Sequence, residues 1–118
     1  MKIQFYHNAA CGTSRTALEL LLEHGADVTV RNVVDEPLSL TELEELLDVL
    51  DLEPMDLVRT SHPQWKAQFA DLELDDDEEI LLALIEFPAM MQRPLVVNEK
   101  GRAFVARPAE KVLEILRD

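Results

Sequence analysis

The chain has 118 residues, a single cysteine and a formal net charge of -13. One cysteine excludes an intrachain disulfide scaffold. The acidity excludes a nucleic-acid-binding role, which needs a basic face against the phosphate backbone. The length suits one domain over residues 1–118. Aromatics make up only 5% of the chain and hydrophobic residues 47%, so the core must be mostly Leu, Val, Ile and Ala. So acidic a chain steers anions poorly, and any anion site must be a local cluster of arginines. The first eight residues lack the apolar stretch of a signal peptide, and the longest apolar run, Ile80 to Ile85, is too short to cross a bilayer. The expectation is a cytoplasmic protein with no membrane partner.

Ile3, Phe5 and Tyr6 read as a first strand, followed by a small polar loop from His7 to Gly12. Ala17, Leu18, Leu21 and Leu22 then recur with helical spacing. Thr13 is the expected N-cap of that helix and Gly25 its stop. Val28 and Val30, with Val33, alternate as a second strand, which completes a βαβ unit. Ser39 and Glu42 form an S-x-x-E capping box, with Leu38 and Leu43 at the staple positions. Leu43, Leu46, Leu47 and Leu50 supply the buried stripe of the helix that follows. A further short helix is expected around Pro54 to Arg59. The acidic run Asp75 to Glu79 precedes Ile80, Leu81, Leu84 and Ile85, so its carboxylates read as a first helical turn complementing the dipole. Pro88 ends that helix.

Pro94 to Val97 reads as a strand, Asn98 to Gly101 as a turn, and Arg102 to Val105 as its hairpin partner. Pro108 opens a last helix, with Val112, Leu113 and Leu116 facing inward. The order is β-α-β, helices, β-β-α. No internal repeat or Gly/Ser-rich linker divides it, so the fold class is α/β, with a helical insertion over about 39–87.

The stretch His7-Asn8-Ala9-Ala10-Cys11-Gly12-Thr13-Ser14-Arg15 carries the chemistry. A lone cysteine is commonly a small buried hydrophobe. Here the neighbours are small and polar, and the cysteine sits between a strand and a helix N-terminus. Free N–H groups there favour the thiolate, and the same groups can hold an oxyanion beside the sulfur. Arg15, in the first turn, adds a positive charge, as His7 does when protonated. The spacing C-x3-R is too short for the C-x5-R phosphate loop. Ser14 stands where a C-x-x-C motif would have its second cysteine, so a dithiol oxidoreductase is excluded. With one cysteine and three scattered histidines there is no metal pattern. His24 and His62 read as surface or helix-end residues, Arg31, Arg102 and Arg117 as solvated, and Trp65 as packing.

These nine residues resemble the active-site pattern of the glutaredoxin-linked arsenate reductase family, the thioredoxin-fold type. Leu57-Val58-Arg59, Gln92-Arg93-Pro94-Leu95-Val96-Val97 and Arg107-Pro108 with Val112, Leu113, Ile115 and Leu116 are similar to family segments in the same order. The likeness covers essentially the whole chain, which ends without the C-terminal extension of plasmid-type members. The resemblance implies a thioredoxin-like mixed sheet and arsenate reduction, with Cys11 as nucleophile and His7 helping to lower its pKa. It makes Arg59, Arg93 and Arg107 the arginines of the oxyanion site, joined by Ser14 and Arg15 of the loop, and Pro94 a cis-proline. No tightly bound cofactor is implied. Glutathione is the expected co-substrate and glutaredoxin the expected partner. Two other readings stand beside this one. The first is a glutathione-dependent thiol reductase that does not act on arsenate. The second is a non-enzymatic regulator binding RNA polymerase, though such relatives usually carry the C-x-x-C switch that Ser14 interrupts.

Overall fold

The computed structural model describes residues 2–69 and 76–116, which leaves Asp75 of the acidic run and Arg117 outside the described residues. By its internal packing the chain divides into two compact units. Residues 1–36 and 93–118 form one, and residues 37–92 form the other. The middle segment has its own packing, which is why it separates.

The first unit holds β1 (Lys2–His7), α1 (Gly12–Glu23), β2 (Asp27–Asn32), β3 (Leu95–Asn98), β4 (Ala103–Val105) and a closing 3-10 helix (Ala109–Leu116). Its sheet runs β2-β1-β3-β4. β1 is parallel to β2 and antiparallel to β3, and β3 is antiparallel to β4. This is the mixed, thioredoxin-like α/β arrangement. Alternation along β1 sends Ile3 and Phe5 into a core with Ala17, Leu21, Val96, Ala106, Ala109, Val112 and Ile115. β2 lies at the sheet edge, and Val30 is exposed there.

Helix α1 starts earlier than its sequence suggests. The N-cap is Cys11, not Thr13, because the Cys11 N–H closes a turn onto the Asn8 carbonyl (3.0 Å) and the first helical bond runs from Arg15 N–H to the Cys11 carbonyl (3.1 Å). Gly25, at φ 75°, ends the helix in a Schellman turn. Its N–H donates to the Leu22 carbonyl and the Ala26 N–H to that of Leu21. The last helix is 3-10, opened by the bond from Lys111 N–H to the Pro108 carbonyl. The tighter winding turns Ala109, Val112 and Ile115 inward and leaves Leu113 and Leu116 half-buried.

The second unit contains α2 (Leu40–Leu50), α3 (Pro63–Gln68) and α4 (Asp77–Glu86), with 3-10 turns at Pro54–Leu57 and Pro88–Met90. The capping box closes both ways: Glu42 N–H donates to Ser39 Oγ and Ser39 N–H to Glu42 Oε1. Leu38 and Leu43, at the staple positions, are both buried. Asp76 caps α4, with Asp77, Glu78 and Glu79 in its first turn. α4 packs against α2 and both 3-10 turns. A short bridge pairs Val58 with Met91, flanked by bonds from Arg59 N–H to the Met90 carbonyl (2.7 Å) and from Gln92 N–H to the Leu57 carbonyl (2.6 Å).

The charge is unevenly divided. Residues 37–92 carry fifteen acidic and two basic side chains, while the rest of the chain carries nine of each. The sheet unit is formally neutral, which removes the objection that so acidic a chain would repel an anionic ligand from a site built there. No helix among the described residues is long and apolar enough to cross a membrane, and no group of three or more His, Cys, Asp or Glu among them could hold a metal ion.

Candidate active site around Cys11

Cys11 is half-buried at the N-terminus of α1 and carries a free thiol. Burial raises its pKa. Against this act the nearby Ser14 N–H, then the Arg93 guanidinium as donor and as charge, and the Thr13 N–H, although the Cys11 side chain closes no helix-cap hydrogen bond. Together these outweigh burial, and the thiol pKa lies below its ordinary value. The chain supplies this cradle by local means. A helix beginning at residue 12 leaves its first N–H groups without intrahelical acceptors, and the sulfur on the N-cap is the nearest anion for them.

The positive charge on the thiol comes from Arg93, not from the two neighbours that the spacing suggests. His7 is buried, and its pKa is lowered first by that burial and then by the charge of Arg15. The imidazole is therefore neutral at about pH 7 and supplies no positive charge. It acts instead through a 2.6 Å bond between Nδ1 and Ser14 Oγ. Ser14 Oγ also accepts from the Asn8 N–H at 3.2 Å. The direction of that bond follows the tautomer: with Nε2 protonated the Ser14 hydroxyl donates to Nδ1, and with Nδ1 protonated it accepts. Ser14 is fully buried, so its side chain serves the loop while its backbone N–H serves the sulfur. Arg15 is exposed and donates from Nη1 to the Ala9 carbonyl at 2.8 Å.

Arg93 is buried at the start of the segment leading into β3. Arg107 is exposed, and its Nη1 lies 3.5 Å from the Arg93 carbonyl oxygen, a long contact. The Arg93–Pro94 and Arg107–Pro108 peptides are both cis. Pro94 is buried, and its carbonyl accepts from the Ala106 N–H at 2.9 Å. The sheet unit thus gathers Cys11, Ser14, His7 and Arg93, with Arg107 beside the Arg93 backbone. Arg59 belongs to the helical unit, where its N–H is bound as described above.

Two residues do more than their sequence suggested. Asn8 folds the loop: its Oδ1 accepts from the Ala10 N–H (2.9 Å) and its carbonyl from the Cys11 N–H. Asn ahead of a small loop is a turn signal that identifies it. Thr13 contributes a backbone donor to the thiol instead of a cap. Outside the site, His24 caps the end of α1 and His62 the start of α3, and Trp65 is buried against Phe69. Arg31 and Arg102, expected to be solvated, each donate to a backbone carbonyl, Arg31 to Glu36 and Arg102 to Glu114.

Comparison with known proteins finds relatives over nearly the whole chain. Residues 6–115 match the ArsC family. The chain is 38% identical to an arsenate reductase of Rhizobium meliloti, over all of this chain and 84% of that one. It is 33% identical to an arsenate reductase of Neisseria meningitidis, over 98% of each. An arsenate reductase structure from Vibrio cholerae superposes with a TM-score of 0.89 at 33% identity, covering 98% of both chains.

Proposed function

We propose that this chain, which belongs to the ArsC family, is an arsenate reductase working through the Cys11 thiolate, a glutathione mixed disulfide and glutaredoxin. The observation that carries the proposal is the thiol itself. It is poised at a helix N-terminus under the Ser14 and Thr13 N–H groups and the Arg93 guanidinium, within a chain whose relatives bear the name arsenate reductase.

The thiolate attacks arsenic(V), and one arsenate oxygen leaves as water, forming a sulfur–arsenic bond. The helix N-terminal donors and Arg93 suit an oxyanion held beside the sulfur, and exposed Arg107 suits its capture. A glutathione thiol then attacks the Cys11 sulfur. The sulfur–arsenic bond breaks with its electron pair moving to arsenic, which leaves as arsenite. The two sulfurs have lost the two electrons that arsenic gained, and Cys11 is left as a mixed disulfide with glutathione. Glutaredoxin, with a further glutathione, restores the thiol. The reductant must come from another molecule because the chain has no second cysteine.

The test is an arsenate-reduction assay with glutathione and glutaredoxin. Wild type should form arsenite over many turnovers and Cys11→Ser should form none. Wild-type protein that reduces a mixed disulfide but leaves arsenate untouched would move the function to a general glutathione-dependent thiol reductase.

A further inference from the structure

We propose that Arg15 is a positioning residue of the active loop. Its side chain clasps the Ala9 carbonyl and through that clasp holds the loop and the first turn of α1 in place around Cys11. This rests on the arsenate reductase reading only for its kinetic arm.

The loop between β1 and α1 has little to hold it by packing. Ala9 and Ala10 are exposed and Gly12 has no side chain. Hydrogen bonds do the work, and they come from two sides. On the buried side Ser14 Oγ takes the Asn8 N–H and meets His7 Nδ1. On the exposed side Arg15 Nη1 donates to the Ala9 carbonyl at 2.8 Å. The backbone links the two clasps, since Cys11 N–H donates to the Asn8 carbonyl and Arg15 N–H to that of Cys11. Ser14 and Arg15 are adjacent, so the first turn of α1 grips the preceding loop with one side chain on each face.

The course of the side chain fits this role. The guanidinium runs back across Gly12, with Nη2 3.9 Å from the position a Cβ would occupy there. It is spent on a carbonyl and is not among the groups that stabilise the thiolate. A charged donor at this distance makes a stronger bond than a neutral one, and a planar guanidinium loses less freedom in making it than an ammonium does. Its charge also favours the neutral form of His7, the ring bonded to Ser14 Oγ. Releasing the Ala9 carbonyl frees the loop to shift. Displacements on the order of 1 Å are enough to spoil the alignment of donors on a reacting atom.

The experiment compares Arg15→Ala, Arg15→Lys and, as a control that removes one positive charge elsewhere in the same unit, Arg31→Ala. Two readouts are taken: the pH profile of Cys11 alkylation by iodoacetamide, and kcat and KM for arsenate. Arg15→Ala should move the alkylation inflection upward and lower kcat by about tenfold, with KM held within about twofold. Arg15→Lys, which can still reach the carbonyl with a charged donor, should recover most of both, and Arg31→Ala should leave the alkylation profile where it is. A tenfold or larger rise in arsenate KM with an unchanged alkylation profile would overturn the proposal and make Arg15 an oxyanion ligand. So would an Arg15→Ala protein that matches wild type in both readouts, or an equal alkylation shift in Arg31→Ala. Alkylation needs no arsenate. Absence of arsenate turnover in wild type would therefore count against the proposed function, while the alkylation arm would still decide the role of Arg15.

Discussion

Ser14→Ala isolates the part of the loop that holds the site in shape. Ser14 is fully buried, and its hydroxyl serves the Asn8 N–H and His7 Nδ1, both in buried residues. Alanine fits the space but offers no oxygen, so the substitution leaves both the Asn8 N–H and His7 Nδ1 without this partner. A buried polar group left without its partner costs about 1–3 kcal/mol, and two such groups set the expected loss at about 2–6 kcal/mol. That is a large fraction of the roughly 5–15 kcal/mol by which folded domains are stable. Urea denaturation should show the midpoint falling with little change in slope, and a thermal scan should show Tm lower by roughly 8 °C or more. The backbone N–H of Ser14 survives the change, so in the folded fraction the alkylation inflection of Cys11 should stay below that of an ordinary thiol. A loss under about 0.5 kcal/mol, the size of an ordinary surface substitution, would refute the buried relay of Asn8, Ser14 and His7.

Arg93→Ala removes both a hydrogen bond and a charge from the Cys11 sulfur, so the alkylation inflection should rise clearly; an unchanged inflection would remove Arg93 from the activating groups. Arg107→Ala should leave that inflection in place while raising the arsenate KM about tenfold, because Arg107 is exposed and does not act on the thiol. Stability should rise with pH in two windows. His7 has a lowered folded pKa, so the unfolded chain binds the proton first, and stability is lost as pH falls from about 6.5 toward the folded value. The lowered Cys11 pKa contributes stability that is full above about pH 8.5 and lost as pH falls through its folded value. Urea midpoints measured across pH should lose the upper rise in Cys11→Ser, and a flat wild-type profile would contradict both assignments. In the helical unit, Ser39→Ala breaks the capping box and should cost about 1 kcal/mol by the same denaturation assay, with no change in Cys11 alkylation.

Local signals were readable wherever the relevant partners lie within a few residues. The Ser39–Glu42 box, the Leu38–Leu43 staple and the Gly25 stop each involve one helix end, and each forms as the residue types dictate. The order of strands and helices was legible for the same reason. What the sequence concealed depends on contacts across the chain. Val30 alternates like a core strand residue, yet β2 lies at the sheet edge, and edge position follows from the pairing of β1 with β3 far along the chain. Helical spacing in the last element did not reveal its 3-10 winding, since apolar residues at i and i+3 suit either helix. At the site, the sequence marked Cys11 and the helix N-terminus but assigned the activating charge to its near neighbours. Arg93 is eighty-two positions from Cys11 and reaches it only through the fold, whereas nearby Arg15 turns to the Ala9 carbonyl and His7 is left uncharged by burial. The uneven charge of the two units could be counted from the sequence once the boundaries at 37 and 92 were known.

Intact-mass measurement of the protein after treatment with arsenate and glutathione, in the absence of glutaredoxin, tests the proposed chemistry most directly. Reduction of arsenate takes two electrons, and Cys11 is the one thiol this chain can offer. The account requires a single adduct on Cys11 with the mass of one glutathione less two hydrogens, formed together with arsenite, absent from Cys11→Ser and removed when glutaredoxin and fresh glutathione are added. Arsenite formed over many turnovers without any small thiol, or through a Cys11–Cys11 disulfide dimer as the sole oxidised species, would contradict it.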